Sequence, residues 1–293
     1  MAKNNYTPKK RRSLASILIT IFIIAVLVLA LVVFLLYMSG VRYLKYDLSD
    51  GRQIKFLGQV DDEGTPVKGK IIYSDNISAD VNLNDDSRET VYSNGDVYTG
   101  GFKNLMKDGE GTLRYSGGDV YTGSFSGDLL NGEGVYSFAN GDKYEGTFVN
   151  GVKTGEGTYT YSDGSVYTGS FENDMRNGFG EYVYASGDKY VGNYLDDMKN
   201  GSGVYTWANG DSYTGEFKGD CREGQGTYVW ESGETYEGSF EANVMSGYGT
   251  FTWPSGRTYT GYFKNGVISR EEEGTEESTG EETTAPTDEK DAE

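Results

Sequence analysis

The chain is short of the residues on which most site chemistry depends: its 293 residues include no histidine, one cysteine and four prolines. Without histidine, Ser-His-Asp and Cys-His catalytic arrangements and histidine-bearing metal sites are absent by composition. The lone Cys221 cannot form an intramolecular disulfide, so stability must come from hydrogen bonds and packing. We therefore predict no enzyme, no catalytic residue, no cofactor site and no metal site, and an enzyme or enzyme subunit is kept only as a remote alternative.

What the chain does contain is a unit of 23 residues, repeated without insertion or deletion. A constant period of this kind indicates a repeat array, in which each unit needs its neighbours to bury its apolar side chains. Seven full units and a half unit follow one another. Each begins with a Tyr-x-Gly triplet, and the tyrosine and glycine of these triplets are Tyr98 and Gly100, Tyr121 and Gly123, Tyr144 and Gly146, Tyr167 and Gly169, Tyr190 and Gly192, Tyr213 and Gly215, Tyr236 and Gly238, and Tyr259 and Gly261.

Within a unit, the spacing of the apolar residues predicts two strands. An aromatic residue such as Phe102 or Phe125 stands two positions after the glycine, and a spacing of two marks one face of a strand. A Gly-x-Gly pair then begins a second run with two same-face rings, as in Tyr136 and Phe138. Asn-Gly-Asp or a close relative follows, which is typical of a tight turn. Each unit is thus predicted to be one β-hairpin, with its rings lying over the glycines.

A further column, eight residues after each tyrosine, is apolar and is predicted to pack. Its members are Met106, Leu129, Val152, Met175, Met198, Cys221, Val244 and Val267. In this interpretation Cys221 is a small hydrophobic residue and not a reactive thiol.

The pattern Tyr-x-Gly-x-Phe, a loop, then Gly-x-Gly-x-Tyr-x-Tyr/Trp-x-x-Gly-Asp resembles the MORN repeat, the "membrane occupation and recognition nexus" motif. The resemblance covers more than half of the chain. It implies an all-β fold: an elongated single-layer antiparallel β-meander of MORN hairpins. In this chain we expect one transmembrane α-helix to precede the meander. It also implies that the repeats scaffold, dimerise or contact membranes and do no chemistry, and it leaves the ligand open.

A membrane segment precedes the repeats. Residues 1–13 form a basic tail, and Leu14 to Met38 is a run of 25 uncharged residues, long enough to cross a bilayer. This run is longer than the apolar part of a cleaved signal peptide, so we predict an uncleaved signal-anchor. The positive-inside rule then places the N-terminus in the cytoplasm and the repeats outside the cell membrane.

The remaining segments flank the array. Residues 39–89 are predicted to be a juxtamembrane linker with a degenerate repeat, residues 90–268 the MORN array, and residues 269–293 a disordered acidic tail. Of the net charge of −19, residues 1–45 contribute +7 and residues 271–293 contribute −10, which leaves −16 for the exported segment Tyr46–Arg270. Such a surface repels nucleic acid and anionic headgroups, so no nucleic-acid partner is expected and lipid binding by the repeats is disfavoured.

These observations predict a membrane-anchored, single-pass, non-enzymatic scaffold or protein-binding module, and leave homo-oligomerisation open. A second hypothesis is that Trp207, Trp230 and Trp253, at one column of successive units, stack on a cell-wall or surface polysaccharide. A larger ring filling a core column is the alternative interpretation of these tryptophans. Whether calcium binds the acidic turn column also stays open; that column contains Asp96, Asp119, Asp142, Asp188 and Asp211.

Overall fold

The computed structural model of the chain describes residues 14–48 and 51–269. The predicted cytoplasmic tail (1–13) and nearly all of the predicted acidic tail (269–293) lie outside the described residues. Contacts divide the chain into two compact units, Met1–Met106 and Lys107–Glu293, which are described separately below.

One α-helix begins the first unit. Helix α1 spans Leu14–Met38 and is long and apolar enough to cross a membrane. All its residues are exposed within the described structure. The helix ends at a glycine: Gly40 adopts a left-handed φ of 80°, and its N–H donates to the carbonyl of Tyr37 over 3.2 Å.

Six strands follow α1 in this unit. Four of them, β1 to β4, pair consecutively into an antiparallel sheet, and the short β5 pairs with β6. The bounds are β1 Val41–Asp47, β2 Gln53–Val60, β3 Pro66–Tyr73, β4 Ser78–Asn82, β5 Thr90–Val91 and β6 Val97–Lys103. The segment predicted as a linker with a degenerate repeat thus contains a sheet of its own.

The degenerate repeat within this sheet is centred on a phenylalanine. Gly58 lies opposite Gly69 across β2 and β3, and the ring of Phe56 lies over both. A Cβ built on Gly69 would be 2.9 Å from Cζ of Phe56 and 2.5 Å from Cα of Gly58. Phe56 therefore packs over the glycines in the way expected of the repeat tyrosines. The Tyr-x-Gly pattern does not detect this unit, because phenylalanine stands in the place of tyrosine.

The second unit is an antiparallel meander. Each strand from β7 to β21 pairs with the next along the chain, which confirms the predicted all-β fold behind a single N-terminal helix. The bounds are β7 Met106–Arg114, β8 Val120–Ser126, β9 Leu129–Ser137, β10 Lys143–Val149, β11 Val152–Thr160, β12 Val166–Glu172, β13 Met175–Val183, β14 Lys189–Leu195, β15 Met198–Thr206, β16 Ser212–Lys218, β17 Cys221–Val229, β18 Thr235–Glu241, β19 Val244–Thr252, β20 Thr258–Lys264 and β21 Val267–Ser269.

The apolar column eight residues after each tyrosine is a correction to the sequence analysis. Leu129, Met198, Val244 and Val267 are 37–43% exposed, and the other members, Cys221 included, are only half-buried. The physical reason is their place in the hairpin. Each is the first residue after a two-residue turn, so it lies at the edge of the sheet where no neighbouring ring covers it. The prediction that this column packs in the core was wrong.

The two-residue turns between the paired strands have positive φ at both positions, as in a type I′ turn. Most place Asn, Asp or Gly first, but the turn between β18 and β19 places Ala242 there with φ of 47°. Alanine is disfavoured in the left-handed region, whereas asparagine adopts it more readily because its short polar side chain can hydrogen-bond to the local backbone.

We therefore expect Ala242→Asn to raise the free energy of unfolding by roughly 0.5–1 kcal/mol. The matched reverse change, Asn173→Ala at the equivalent turn (φ 51°), should lower it by a similar amount. Thermal unfolding followed by circular dichroism measures both. Equal effects of the two substitutions on stability, in the same direction, would contradict the assignment of strain to Ala242.

Candidate functional site

The core of the array is built from two rings per unit. The tyrosine that begins the unit packs edge-to-face against the phenylalanine four residues later and against that of the next unit. For Tyr121 these are Phe125 and Phe148, with ring centroids 5.1 and 5.3 Å away. Its hydroxyl donates to the carbonyl of Ser124 over 2.9 Å, so the polar end of the buried ring is hydrogen-bonded. The tyrosines thus join each unit to the next.

The structure places all the repeat-defining tyrosines in this core. The first seven are fully buried, at 0% exposure: Tyr98, Tyr121, Tyr144, Tyr167, Tyr190, Tyr213 and Tyr236. Tyr259, in the half unit, is only half-buried because no complete unit follows it.

A row of glycines lies under these rings. Register places Gly123 opposite Gly134, and Gly134 opposite Gly146 on the next strand. A Cβ built on Gly134 would lie 2.3 Å from the hydroxyl oxygen of Tyr121 and 2.5 Å from its Cε2. The ring rests directly on bare backbone, which explains why both strands of a unit require glycine at this level.

A second set of rings, here called the outer ladder, runs beside the core on the same face. Successive centroids are 4.3–6.0 Å apart. Its members are Tyr115, Tyr136, Phe138, Tyr159, Tyr161, Tyr182, Tyr184, Tyr205, Trp207, Tyr228, Trp230, Phe251 and Trp253. Unlike the core rings, most of these are half-buried.

The three tryptophans singled out by the sequence lie on this ladder. Trp207 contacts Tyr205 and Tyr228, at 4.6 and 5.1 Å between centroids, and Trp230 contacts Tyr228 at 4.4 Å. Trp253 ends the ladder, and the guanidinium of Arg257 lies 4.0 Å from its ring centroid. Each indole is packed by neighbours and still retains some exposed surface.

The acidic turn column binds the ladder together. Asp142 accepts hydrogen bonds from the hydroxyl of Tyr159 (2.8 Å) and the backbone N–H of Ser162 (2.8 Å) in the next unit. Asp119, Asp188 and Asp211 each accept the same two hydrogen bonds, from a tyrosine hydroxyl and a backbone N–H of the following unit. The backbone N–H of Ser162 is the main reason that the pKa of Asp142 lies below its usual value. These carboxylates link units, and the described residues contain no group of three or more metal-ligating acids or thiols.

Sequence reasoning missed a row of cations on the ring face, here called the cation row: Lys107, Lys153, Arg176, Lys199 and Arg222. The sequence did contain a sign of this row, because its members are separated by 46, 23, 23 and 23 residues, which are multiples of the repeat length. Cationic atoms of the last four members lie 4.9–5.2 Å from a ring centroid, for instance Nζ of Lys199 from Tyr205 and the guanidinium of Arg222 from Tyr228. Burial lowers the pKa of Lys153.

Each member of the row is also tied to the turn of the following unit. The guanidinium Nε of Arg176 lies 3.0 Å from Asp197, and Lys107 lies 3.2 Å from Asp128. The backbone N–H of Lys199 donates to Asp220 over 2.9 Å. The last unit of the row differs, because Arg222 faces Asn243 and donates to its main-chain carbonyl over 2.8 Å.

The outer ladder and the cation row enclose a cleft of about 600 Å³. Its lining includes Tyr184, Tyr205, Trp207, Lys199 and Arg222. The cleft thus combines partly exposed aromatic rings with partly buried cations. Tyrosine, tryptophan and arginine are the residues enriched at protein interfaces. The cleft contains no histidine, and its two carboxylates accept structural hydrogen bonds. Asp188 accepts from the Tyr205 hydroxyl and the Ala208 backbone N–H, and Asp220 accepts from the Lys199 backbone N–H.

The fold and this face define a class: an array of β-hairpin repeats in which the same ring packing recurs between successive units. Comparison with protein families matches the description "MORN repeat" to residues 98–120, 121–143, 144–166, 167–189, 190–212, 213–235 and 236–256. The chain belongs to the MORN-repeat family. An array of MORN repeats suggests a protein-interaction or scaffold module.

Comparisons with curated proteins and with solved structures give no further evidence on the function of this chain. No curated protein matches the chain. Among solved structures, the TCP domain of SAS-4 (dCPAP) from Drosophila melanogaster, in complex with a proline-rich motif of Ana2, is 12% identical, with 59% of this chain and 90% of that chain covered and a TM-score of 0.33. The TCP10 domain of Danio rerio CPAP is 9% identical (75% and 100% covered, TM-score 0.33), and virginiamycin B lyase from Staphylococcus aureus is 12% identical (78% and 72%, TM-score 0.15). Scores this low carry no argument about this chain.

Proposed function

We propose that this protein is a membrane-anchored, non-enzymatic scaffold that displays its repeat array outside the cytoplasm and binds another protein with the ring face. The observation that carries the proposal is the outer ladder. It is a continuous strip of thirteen rings on one face, eleven of which are only half-buried, and no layer covers it among the described residues. Exposed aromatic surface of this extent is typical of an interaction site.

The two faces of the array differ in a way that supports this choice. The opposite face carries hydroxyl and carboxylate side chains that bond to one another across strands, such as Thr158 with Thr168 (3.3 Å) and Ser170 with Glu156 (2.6 Å). A face whose polar groups pair locally in water offers little energy for binding. Rings and cations on the other face can be desolvated by a partner, and such residues dominate binding energy.

Anchoring rests on α1 and on the charges around it. The helix is long and apolar enough to span a bilayer, and five basic residues precede it in the sequence. The positive-inside rule supports a cytoplasmic N-terminus and an extracellular array. The alternative use of such a helix is as a cleaved signal sequence.

A photo-crosslinking experiment tests binding through the ring face. Benzoylphenylalanine placed at Trp207 in the full chain, in its native membrane, is expected to give adducts of one defined mass. The matched control is the same group at the exposed Thr214 on the opposite face, which should give none. An adduct of twice the chain's mass would identify a second copy as the partner. Equal labelling from both positions, or none from Trp207, would contradict the proposal.

The second candidate function is recognition of a linear polysaccharide by Trp207, Trp230 and Trp253. Their exposed edges favour it, since indoles at one column of successive units are spaced by two strands, about 10 Å. Against it, each indole already contacts at least one ladder ring in the structure.

Iodide quenching of tryptophan fluorescence separates the two functions. The scaffold proposal predicts quenching well below that of the same chain in denaturant, and no change when wall polysaccharide is added. The reason is that neighbouring rings already cover much of each indole. Strong quenching in the folded state that polysaccharide relieves would instead establish the carbohydrate site.

A further inference from the structure

The four-stranded sheet of the first unit has a lysine-rich face, although the chain as a whole is strongly acidic. Side chains alternate along its strands, and one face buries Ile54, Phe56 and Ile71 completely. The opposite face, here called the lysine face, exposes four lysines together with two apolar or aromatic side chains: Lys45, Lys55, Lys68, Lys70, Tyr43 (62% exposed) and Leu57 (52% exposed).

Register gathers these residues into adjacent rows. Tyr43 lies opposite Leu57, and Leu57 lies opposite Lys70 on the next strand. Lys45 lies directly opposite Lys55. Two acids share the face: Asp80 lies opposite Lys70, and Asp47 lies 3.6 Å from Lys45. Both members of that ion pair are largely exposed, so it contributes little.

A pair of like charges directly opposite each other destabilises a sheet. Lys45 and Lys55 form such a pair at an exposed position, where uncharged residues would serve the fold as well. An arrangement that lowers the stability of the isolated sheet becomes favourable when an anionic surface lies against it.

The lysine face also begins at the end of the candidate membrane helix. Strand β1 starts at Val41, three residues after α1 ends at Met38. Arg42 connects the two: its Nη1 donates to the carbonyl of Tyr37 over 2.7 Å, and its guanidinium lies 3.8 Å from the centroid of the Tyr37 ring. Tyrosine and arginine at the end of an apolar helix are typical of the membrane–water interface.

We propose that the lysine face binds the anionic headgroups of the membrane that α1 crosses, with Tyr43 and Leu57 entering the interfacial layer between the lysines. Clustered lysines next to a spanning helix are attracted to any lipid surface that carries anionic headgroups, within about a Debye length of that surface. The inference rests on the anchoring part of the proposed function. The surface lies outside the matched repeats, which begin at residue 98.

This proposal departs from the expectation, drawn from net charge, that the exported part repels anionic headgroups. That expectation used the net charge of the whole exported segment, whereas a membrane meets only the face next to it. Pairing between β1, β2 and β3 collects lysines from Lys45 to Lys70 on one face, a grouping that the average over the chain does not show.

The experiment uses the full chain in nanodiscs, with a polarity-sensitive fluorophore at Leu57→Cys in a Cys221→Ser background. The emission is expected to shift to the blue in discs containing phosphatidylglycerol, relative to discs of phosphatidylcholine alone, and high salt should reverse the shift. A fluorophore at the exposed Ser162→Cys of the array should give the same emission in both discs.

Variants separate charge from fold. Replacing the four lysines with glutamine should abolish the blue shift, while replacing them with arginine should retain it; the circular dichroism of both should match the parent. A chain that copurifies with discs but gives equal emission in both lipids would overturn this inference and leave the anchor intact. A chain that does not copurify with discs at all would overturn the anchor and, with it, the lipid surface.

Discussion

Gly192→Val is expected to destabilise the array by about 3 kcal/mol, the upper range for overpacking a well-packed site. A Cβ at Gly192 would lie 2.4 Å from the hydroxyl oxygen of Tyr190 and 2.6 Å from Cα of Gly203 on the paired strand. Neither neighbour can move easily, because the tyrosine is fully buried and the other contact is backbone. Tyr190 would have to leave its position over the glycines, and its edge-to-face contacts with Tyr194 and Phe217 would be lost.

Gly192→Ala should show the same effect at a smaller scale, about 2 kcal/mol. The matched control is Gly117→Ala, because nothing lies within 4 Å of a Cβ built there and other units carry a side chain at that loop position. Its effect should stay within about 0.5 kcal/mol. Chemical denaturation of the three variants measures the differences. Equal stability of the Gly192 and Gly117 variants would show that the rings do not rest on the glycines.

Alkali is expected to unfold the array cooperatively as the pH passes from about 10 toward 12. Burial raises the pKa of five core tyrosines to about 12: Tyr121, Tyr144, Tyr167, Tyr213 and Tyr236. In an unfolded chain the pKa of tyrosine is about 10. Above that pH the unfolded chain releases protons that the folded core retains, so stability is complete below pH 10 and is lost as pH rises toward 12.

The size of this effect is large because the tyrosines act together. One pKa unit corresponds to about 1.4 kcal/mol, so several core tyrosines that ionise only on unfolding can together offset a large part of the roughly 5–15 kcal/mol by which a domain is usually stable. The β-sheet circular dichroism signal should be lost over a narrow pH range, together with a step in the tyrosinate absorbance of the core rings. A sheet signal that stays unchanged up to pH 12 would contradict the prediction.

Tyr121→Phe provides the internal control. It removes the hydrogen bond to Ser124, so this variant should be slightly less stable than the parent at neutral pH. It also removes one ionisable group, so the difference should shrink and then reverse as the pH rises above 10. A difference that stays constant with pH would show that ionisation of the core tyrosines does not drive the alkaline transition.

The repeating part of the fold could be predicted from sequence because one interaction recurs at a fixed spacing. Tyr-x-Gly on one strand and Gly-x-Gly on the next can satisfy each other only if Gly123 lies opposite Gly134, so the period also determines the register. Turn residues such as Asn140, Gly141 and Asp142 indicated where the chain reverses between units, and Gly141 has a positive φ of 96° there.

Other features could not be predicted, for physical reasons that differ. The sheet of residues 41–82 uses Phe56 in place of tyrosine and has no neighbouring copy to reveal its period. The exposed column containing Met198 is apolar in sequence, and only the position of the two-residue turn shows that it lies at an edge. Lys199 and its equivalents appear in sequence as solvated charges, but their strand register places their stems among rings.

Protease treatment of intact cells tests whether α1 anchors an array displayed outside the cell. For this experiment the full chain carries one epitope tag before Met1 and a second after Glu293. External protease is expected to remove the C-terminal tag and the array, while the N-terminal tag stays protected in a membrane-bound fragment containing Leu14–Met38. A freely secreted mature protein starting near Val41, or an array protected until the cells are lysed, would contradict it.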